Sequence, residues 1–180
     1  MGPGPPVPIN PALCGVAGWC LERDDATMWG CSFLSPFAVA DGATGGALAW
    51  SRTFPGRLDQ AKAARRFAAV LFADSPVVDE VELVAGELAA NAIRHSTSGE
   101  EGGVFTLHLM VRDGLALVGV RDLGGRGIPA VRNDPLNTRL SRGRGLLAVS
   151  RLAGTLGVYG NPLVGHLVWA ELDGAPPMIP

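Results

Sequence analysis

The sequence is short of several things. It holds one lysine, Lys62, and only three cysteines, Cys14, Cys20 and Cys31, all before residue 32. The cysteine spacing fits no zinc pattern and no histidine lies nearby, so a structural metal framework is excluded and free thiols in a reduced compartment are expected. The net charge is −2 with a pI of about 5.9, which excludes nucleic-acid binding through bulk charge. No apolar run is long enough to span a bilayer. The longest, residues 104–120, is broken by Arg112-Asp113-Gly114. The start of the chain lacks a charged segment followed by an apolar core, and Pro6 stands where a myristoylation signal needs Ser or Thr. There is no internal repeat. These absences together predict a cytoplasmic protein with no direct contact to membrane or nucleic acid.

What is present reads as a globular domain with a tail. Hydrophobic residues make up 47% of the 180 and charged residues 18%. Residues 1–46 are rich in Pro and Gly at the start and lack sustained periodicity, which predicts a partly disordered N-terminal tail on which Trp19, Trp29 and Phe33 are candidates for local docking. Residues 47–173 carry the domain and 174–180 a C-terminal tail. A domain of about 130 residues buries roughly two-thirds of its unfolded surface and needs no staples.

Within the domain, Ala47–Phe54 is expected as a strand ended by Pro55-Gly56. Leu58–Ala73 is expected as a helix with the apolar stripe Ala61, Ala64, Ala68, Leu71 and Phe72. Asp74-Ser75-Pro76 then supplies a cap and a first-turn proline for a second helix running to His95, with Asp79 and Glu80 in its first turn. After a loop over 99–103, Val104–Val111 alternates, with Phe105, Leu107, Leu109 and Val111 facing one way and Thr106 and His108 the other. Asp113-Gly114 is a hairpin signal, and Leu115–Arg121 the return strand. Asp122–Arg142 is polar and rich in turn formers, long enough to be a lid. Gly145–Leu152 is expected as a helix, and Thr155–Tyr159 and Leu163–Leu172 as strands around Gly160-Asn161-Pro162. This order predicts a two-layer α/β sandwich, with a mixed, largely antiparallel sheet and helices on one face.

Three stretches carry chemistry. On the second helix, Val81, Val84, Ala85, Leu88 and Ala92 form the core stripe, and Glu87 and Asn91 lie beside it, about 6 Å apart along the axis and on nearly the same face. Alone, the pair reads as a solvated helix edge, but Asn is a poor mid-helix residue because it competes for backbone groups. "VRDLGG" puts Asp122 at a strand end, followed by glycines. "GRGLLAVSRLAG" opens a helix with Gly143, Arg144, Gly145 and Leu146, where glycines let backbone N–H groups approach an anion at a positive helix end. The same stretch fits a dinucleotide fingerprint by spelling, but polar residues precede it in place of a buried strand, and no acid follows before Glu171.

In order, "ELAANAIRHS", "VRDLGG" and "GRGLLAVSRLAG" resemble the N, G1 and G2 boxes of the GHKL, or Bergerat-fold, ATPases, and within them the histidine-kinase-like domains of anti-sigma-factor serine kinases. The resemblance covers residues 48–172 and implies ATP bound with Mg²⁺ between helices and sheet under a lid. It implies Asn91 as the Mg²⁺ ligand and Glu87 as the general base. Asp122 would accept from the adenine amino group, Gly124 would leave room for the base, and Gly143, Arg144, Gly145 and Leu146 would face the phosphates. The family's last strand often carries Thr after Gly-Lys, a point where this chain's Gly165-His166-Leu167 places Leu167. His95 is expected as packing or pocket wall, and His108 and His166 as structural. The implied partners are a sigma factor and a STAS-type antagonist phosphorylated on Ser, with homodimerisation also implied. A non-catalytic ATP-dependent binding switch and a scaffold that has lost ATP are the alternative readings.

Overall fold

Period-two alternation builds the sheet, and the structure, a computed structural model, follows it closely. It describes residues 47–125 and 144–175. The expected tail 1–46, the lid from 126 onward, Gly143 and residues 176–180 lie outside the described residues. Of the expected C-terminal tail, Gly174 and Ala175 are described, and Ala175 is buried in the core.

The elements are β1 (Leu48–Pro55), α1 (Leu58–Leu71), α2 (Val78–His95), β2 (Val104–Arg112), β3 (Leu115–Arg121), α3 (Arg144–Leu152), β4 (Thr155–Asn161) and β5 (Gly165–Asp173). The sheet runs β1-β2-β3-β5-β4, and every neighbouring pair is antiparallel. This corrects the mixed sheet expected from sequence. The β4–β5 hairpin folds back so that β5 enters beside β3 and β4 takes the edge. The architecture is the expected α/β sandwich.

Cross-strand partners share a face, so Phe54 with Phe105, Leu109 with Val118, and Val120 with Val168 all point one way. That face meets the stripes of α1 (Ala61, Ala64, Ala68) and α2 (Val81, Val84, Ala85, Leu88, Ala92), all buried. Small residues on both helices let them lie close to each other and to the strands. At one end of β1 Phe105 stacks on Phe54 at 5.4 Å and Phe67 meets Phe54 edge-on at 6.2 Å, and farther along the strand Trp50 meets Phe72 edge-on at 6.3 Å. The opposite sheet face also buries Met110 and Leu117, a cross-strand pair.

Boundaries differ where side chains intervene. The second helix starts at Val78, later than the Asp74-Ser75-Pro76 signal, because the Ser75 hydroxyl accepts from the Val77 N–H at 3.3 Å and holds a turn first. A 3-10 turn at Thr97–Gly99 replaces the expected plain loop. Strand β5 begins at Gly165, two residues later than expected, because Asn161 Oδ1 accepts from the N–H groups of Leu163 and Val164 and closes the turn around Pro162. The Asp113-Gly114 hairpin is as expected, with φ of 52° and 79° at its two central residues.

Two outcomes follow. Phe105→Ala should lower stability by about 3–5 kcal/mol in urea titration, as for other buried aromatic truncations; an unchanged midpoint would place the ring outside the core. Burial, followed by Arg121 on the same face, holds the His108 imidazole below its ordinary range. Its folded pKa is thus below the unfolded one, so stability is full above about 6.5 and declines as pH falls through that value. His108→Gln should flatten that part of the stability profile between pH 7.5 and 5.5, and an unaltered slope would count against it.

Candidate functional site

A carboxylate buried at the end of β3 organises one end of the site. The Asp122 side chain is 3% exposed. Its Oδ1 accepts from the Gly124 N–H at 2.7 Å and the His166 N–H at 2.9 Å, and His166 Nδ1 lies 3.3 Å away. The Asp122 N–H in turn donates to the His166 carbonyl, continuing the β3–β5 pairing. Among the described residues, every hydrogen bond that the Asp122 side chain accepts falls on Oδ1, which leaves Oδ2 for a ligand donor. Gly124 and Gly165 both have positive φ, and a Cβ at either would strike backbone, at Pro162 and at Asp122 respectively. These glycines allow β3, its following loop and the β4–β5 turn to meet without side chains between them.

The strand parity sorts the residues of β5 that follow Gly165. Residues 166, 168, 170 and 172 alternate onto the helix side, so His166 stands beside Asp122 while Leu167, paired with Arg121, faces away. His166 is 1% exposed, and its Nε2 is buried with no hydrogen-bond partner among the described residues. With Nδ1 donating to Asp122, neutral Nε2 is an acceptor. A buried unpaired polar atom of this kind costs about 1–3 kcal/mol, and here it sits next to the carboxylate.

A second set of residues holds the segment after Asp122. Ser96 ends α2 with its hydroxyl donating to the Ala92 carbonyl and accepting from the Ser98 N–H. The Ser98 hydroxyl accepts from the Leu123 N–H at 2.9 Å, and the Thr97 N–H donates to the Gly124 carbonyl at 2.7 Å. These hydroxyls went unassigned in the sequence. The signal was legible in type: Ser and Thr clustered after a helix are turn formers that bond backbone.

Glu87 and Asn91 occupy the other end. Both are half-buried on α2, beside its core stripe as expected. The Glu87 carboxylate lies so close to Gly145, in the first turn of α3, that a Cβ there would collide with Oε2. The structure thus brings together Glu87 and the N-terminus of α3, where the first backbone N–H groups have no helical partner. Leu146 is buried in the core, so its offering to a ligand is its backbone N–H. Arg144 begins α3. Gly143 is outside the described residues. His95, expected as packing or pocket wall, is exposed. From Glu87 to Ser96 is nine residues of helix, about 14 Å. Glu87 therefore lies that far along α2 from Ser96, whose neighbours Thr97 and Ser98 bond Gly124 and Leu123, the residues that follow Asp122.

A cavity of about 550 Å³ lies between α1 and α2 and reaches Glu87, but its lining does not include Asn91 or Asp122. No cluster of three or more His, Cys, Asp or Glu side chains suited to a metal occurs among the described residues. No helix among the described residues is long and apolar enough to cross a membrane.

The profile of the histidine kinase-like ATPase domain family matches residues 54–169, more than half of the chain. The chain belongs to this family. A comparison with curated proteins gave no match. Histidine kinase-like ATPase domains bind ATP, and the parts just described fit that ligand. A buried carboxylate with one oxygen open to a donor suits an adenine amino group, and a helix N-terminus beside Glu87, with Asn91 one turn farther along α2, suits phosphates. Mg²⁺ fits as well. A hard cation that keeps waters and phosphate oxygens needs few protein ligands, and the Asn91 side-chain oxygen is a neutral one.

If Asp122 reads adenine, ATP should bind at least about tenfold more tightly than GTP, since a hydrogen bond to a charged group contributes about 1.5–3 kcal/mol. Calorimetry on Asp122→Ala should find most of that preference gone, and His166→Leu, which keeps the backbone N–H, should retain part of it. Equal affinities for ATP and GTP in the parent protein would remove Asp122 from the site.

Proposed function

We propose that this ATP-binding domain is a cytoplasmic protein serine/threonine kinase and anti-sigma factor, transferring the γ-phosphoryl group of Mg-ATP to a serine on a STAS-type antagonist. The observation that carries the reading is Glu87 against Gly145. A carboxylate positioned at the helix end that faces the phosphates is what hydroxyl phosphorylation needs. A base there favours transfer to a hydroxyl over nucleotide binding alone, and the partner-labelling assay separates such transfer from ATP hydrolysis.

In this reading Asp122 and His166 hold the adenine end, and the backbone of Gly124 leaves room for the ring. Asn91 would hold Mg²⁺, which would offset the charge of the phosphates. The N–H groups of Gly143, Arg144, Gly145 and Leu146 cradle the phosphates. Glu87 accepts the hydroxyl proton as the serine oxygen bonds to the γ-phosphorus and the bond to the ADP oxygen breaks. Positioning and charge stabilisation do most of the catalysis, as in phosphoryl transfer generally. A sigma factor as the sequestered partner and a homodimer as the working form complete the reading, both resting on the resemblance of the three boxes.

The two residues of α2 should fail differently. Asn91→Ala removes the metal ligand, so Mg-ATP affinity and transfer both fall. Glu87→Gln keeps size, so ATP binding persists while labelled-phosphate transfer drops by about 10²-fold or more. A parent protein that binds ATP and partner but never labels the partner would make this a non-catalytic binding switch. Unchanged transfer by Glu87→Gln would deny Glu87 a chemical role.

A further inference from the structure

The cavity between α1 and α2 is not used by the nucleotide reading, yet it ends at Glu87. Its two walls differ in sign. Helix α1 contributes Lys62, Arg65 and Arg66, and α2 contributes Glu82 and Glu87. Arg65 Nε pairs with Glu82 at 2.6 Å, and its stem crosses the position where Gly86 has no side chain. Lys62 and Arg66 are exposed and have no carboxylate partner among the described residues. The chain's one lysine therefore stands on this wall.

The direction of the groove follows from the helix pair. A short connection makes α1 and α2 antiparallel, and Arg65 lies against Glu82 and Gly86. Residues before 65 therefore face residues after 86, which puts Lys62 toward the Glu87 end and Arg66 farther from it. From Ala61 to Arg66 is about 7.5 Å of helix, enough for two or three extended residues at about 3.3 Å each.

We infer that this groove seats the acceptor segment of the protein substrate, an extended acidic stretch whose hydroxyl reaches Glu87 while a neighbouring carboxylate meets Lys62 and then Arg66. The inference rests on the kinase reading and adds to it the chemistry of the substrate: acid within one to three residues of the serine. Charge complementarity selects the occupant. The α1 wall offers unneutralised cations that attract carboxylates and repel basic segments, and the α2 wall offers Glu87 as an acceptor for the hydroxyl.

The test uses the full chain with Mg-ATP and two short synthetic peptides, one with a serine flanked by glutamates and one flanked by lysines. The acidic peptide should perturb amide signals of residues 61–66 and 82–87, with an affinity that falls as salt rises, and the basic one should not. Lys62→Glu with Arg66→Glu, both at exposed positions, should weaken acidic-peptide binding about tenfold or more and raise KM for its phosphorylation, with ATP affinity unchanged. Equal responses to the two peptides, perturbations elsewhere, or an unaltered KM in the double variant would overturn the groove. So would binding to phosphatidylserine vesicles with no response to the acidic peptide. If the acidic peptide seats in the groove but takes no label, the kinase reading fails and the groove stands. If label transfers with the parent KM in the double variant, the kinase stands and the groove fails.

Discussion

A carboxylate enclosed between a sheet and its helices is destabilising unless donors surround it, and much of the local structure can be read as meeting that demand for Asp122. Two backbone N–H groups and an imidazole nitrogen converge on Oδ1. To deliver them, β3 must end where β5 begins, the chain must turn at Gly124, and Gly165 must pass within contact of the Asp122 carbonyl. The Ser96–Ser98 hydroxyls and amides then fix Leu123 and Gly124 from the other side. A ligand that occupies Oδ2 meets a carboxylate already oriented, so little ordering remains for the moment of binding.

Helix α2 transmits that order to the opposite end. It is 18 residues long, begins with Asp79 and Glu80 and ends with Arg94 and His95, a charge order that suits its dipole. Its buried face is mostly Ala and Val, with Leu88 the one larger side chain, so it lies close to the sheet along its length. Thr97 and Ser98, just after the helix, are tied to the segment that follows Asp122, while Asn91 and Glu87 ride one to three turns earlier on the same rigid element. The spacing between Glu87 and that segment's anchor at Ser96 is therefore set by helical rise, which loop sequence does not alter.

Much of this was legible in the sequence because it is periodic. The stripes of α1 and α2 and the alternation of β2 and β3 each repeat a signal over several residues, and the Asp113-Gly114 turn needs backbone geometry that few residue pairs adopt. The placement of Glu87 and Asn91 beside the core stripe followed from the helix period alone. What was missed depends on a single residue's partner far along the chain. His166 reads from sequence as structural, but its partner, Asp122, is not readable there; only the register of β5 against β3 sets the two side by side and turns Leu167, at the family's Thr position, away. Counting parity back from Val168, Ala170 and Leu172 would have placed His166 inward, but parity gives a face and not a partner, and that Asp122 stands opposite depends on the pairing of β5 with β3. The mixed sheet was likewise an error of pairing: strand identity is local, whereas strand order is not.

Gly145 carries two requirements at once. Read from sequence, it is a glycine that lets backbone N–H groups approach phosphate. The structure adds that any side chain there would meet the Glu87 carboxylate, so the same absence of a Cβ that opens the phosphate end also lets Glu87 lie against α3. Displacing Glu87 from that position would push it toward the α1–α2 cavity, whose wall it already forms. One carboxylate thus borders two spaces, the first turn of α3 on one side and a cation-lined groove on the other. In the proposed kinase reading a base lies between phosphoryl donor and hydroxyl acceptor, and the position of Glu87 between the first turn of α3 and the α1–α2 cavity is what such a base would need.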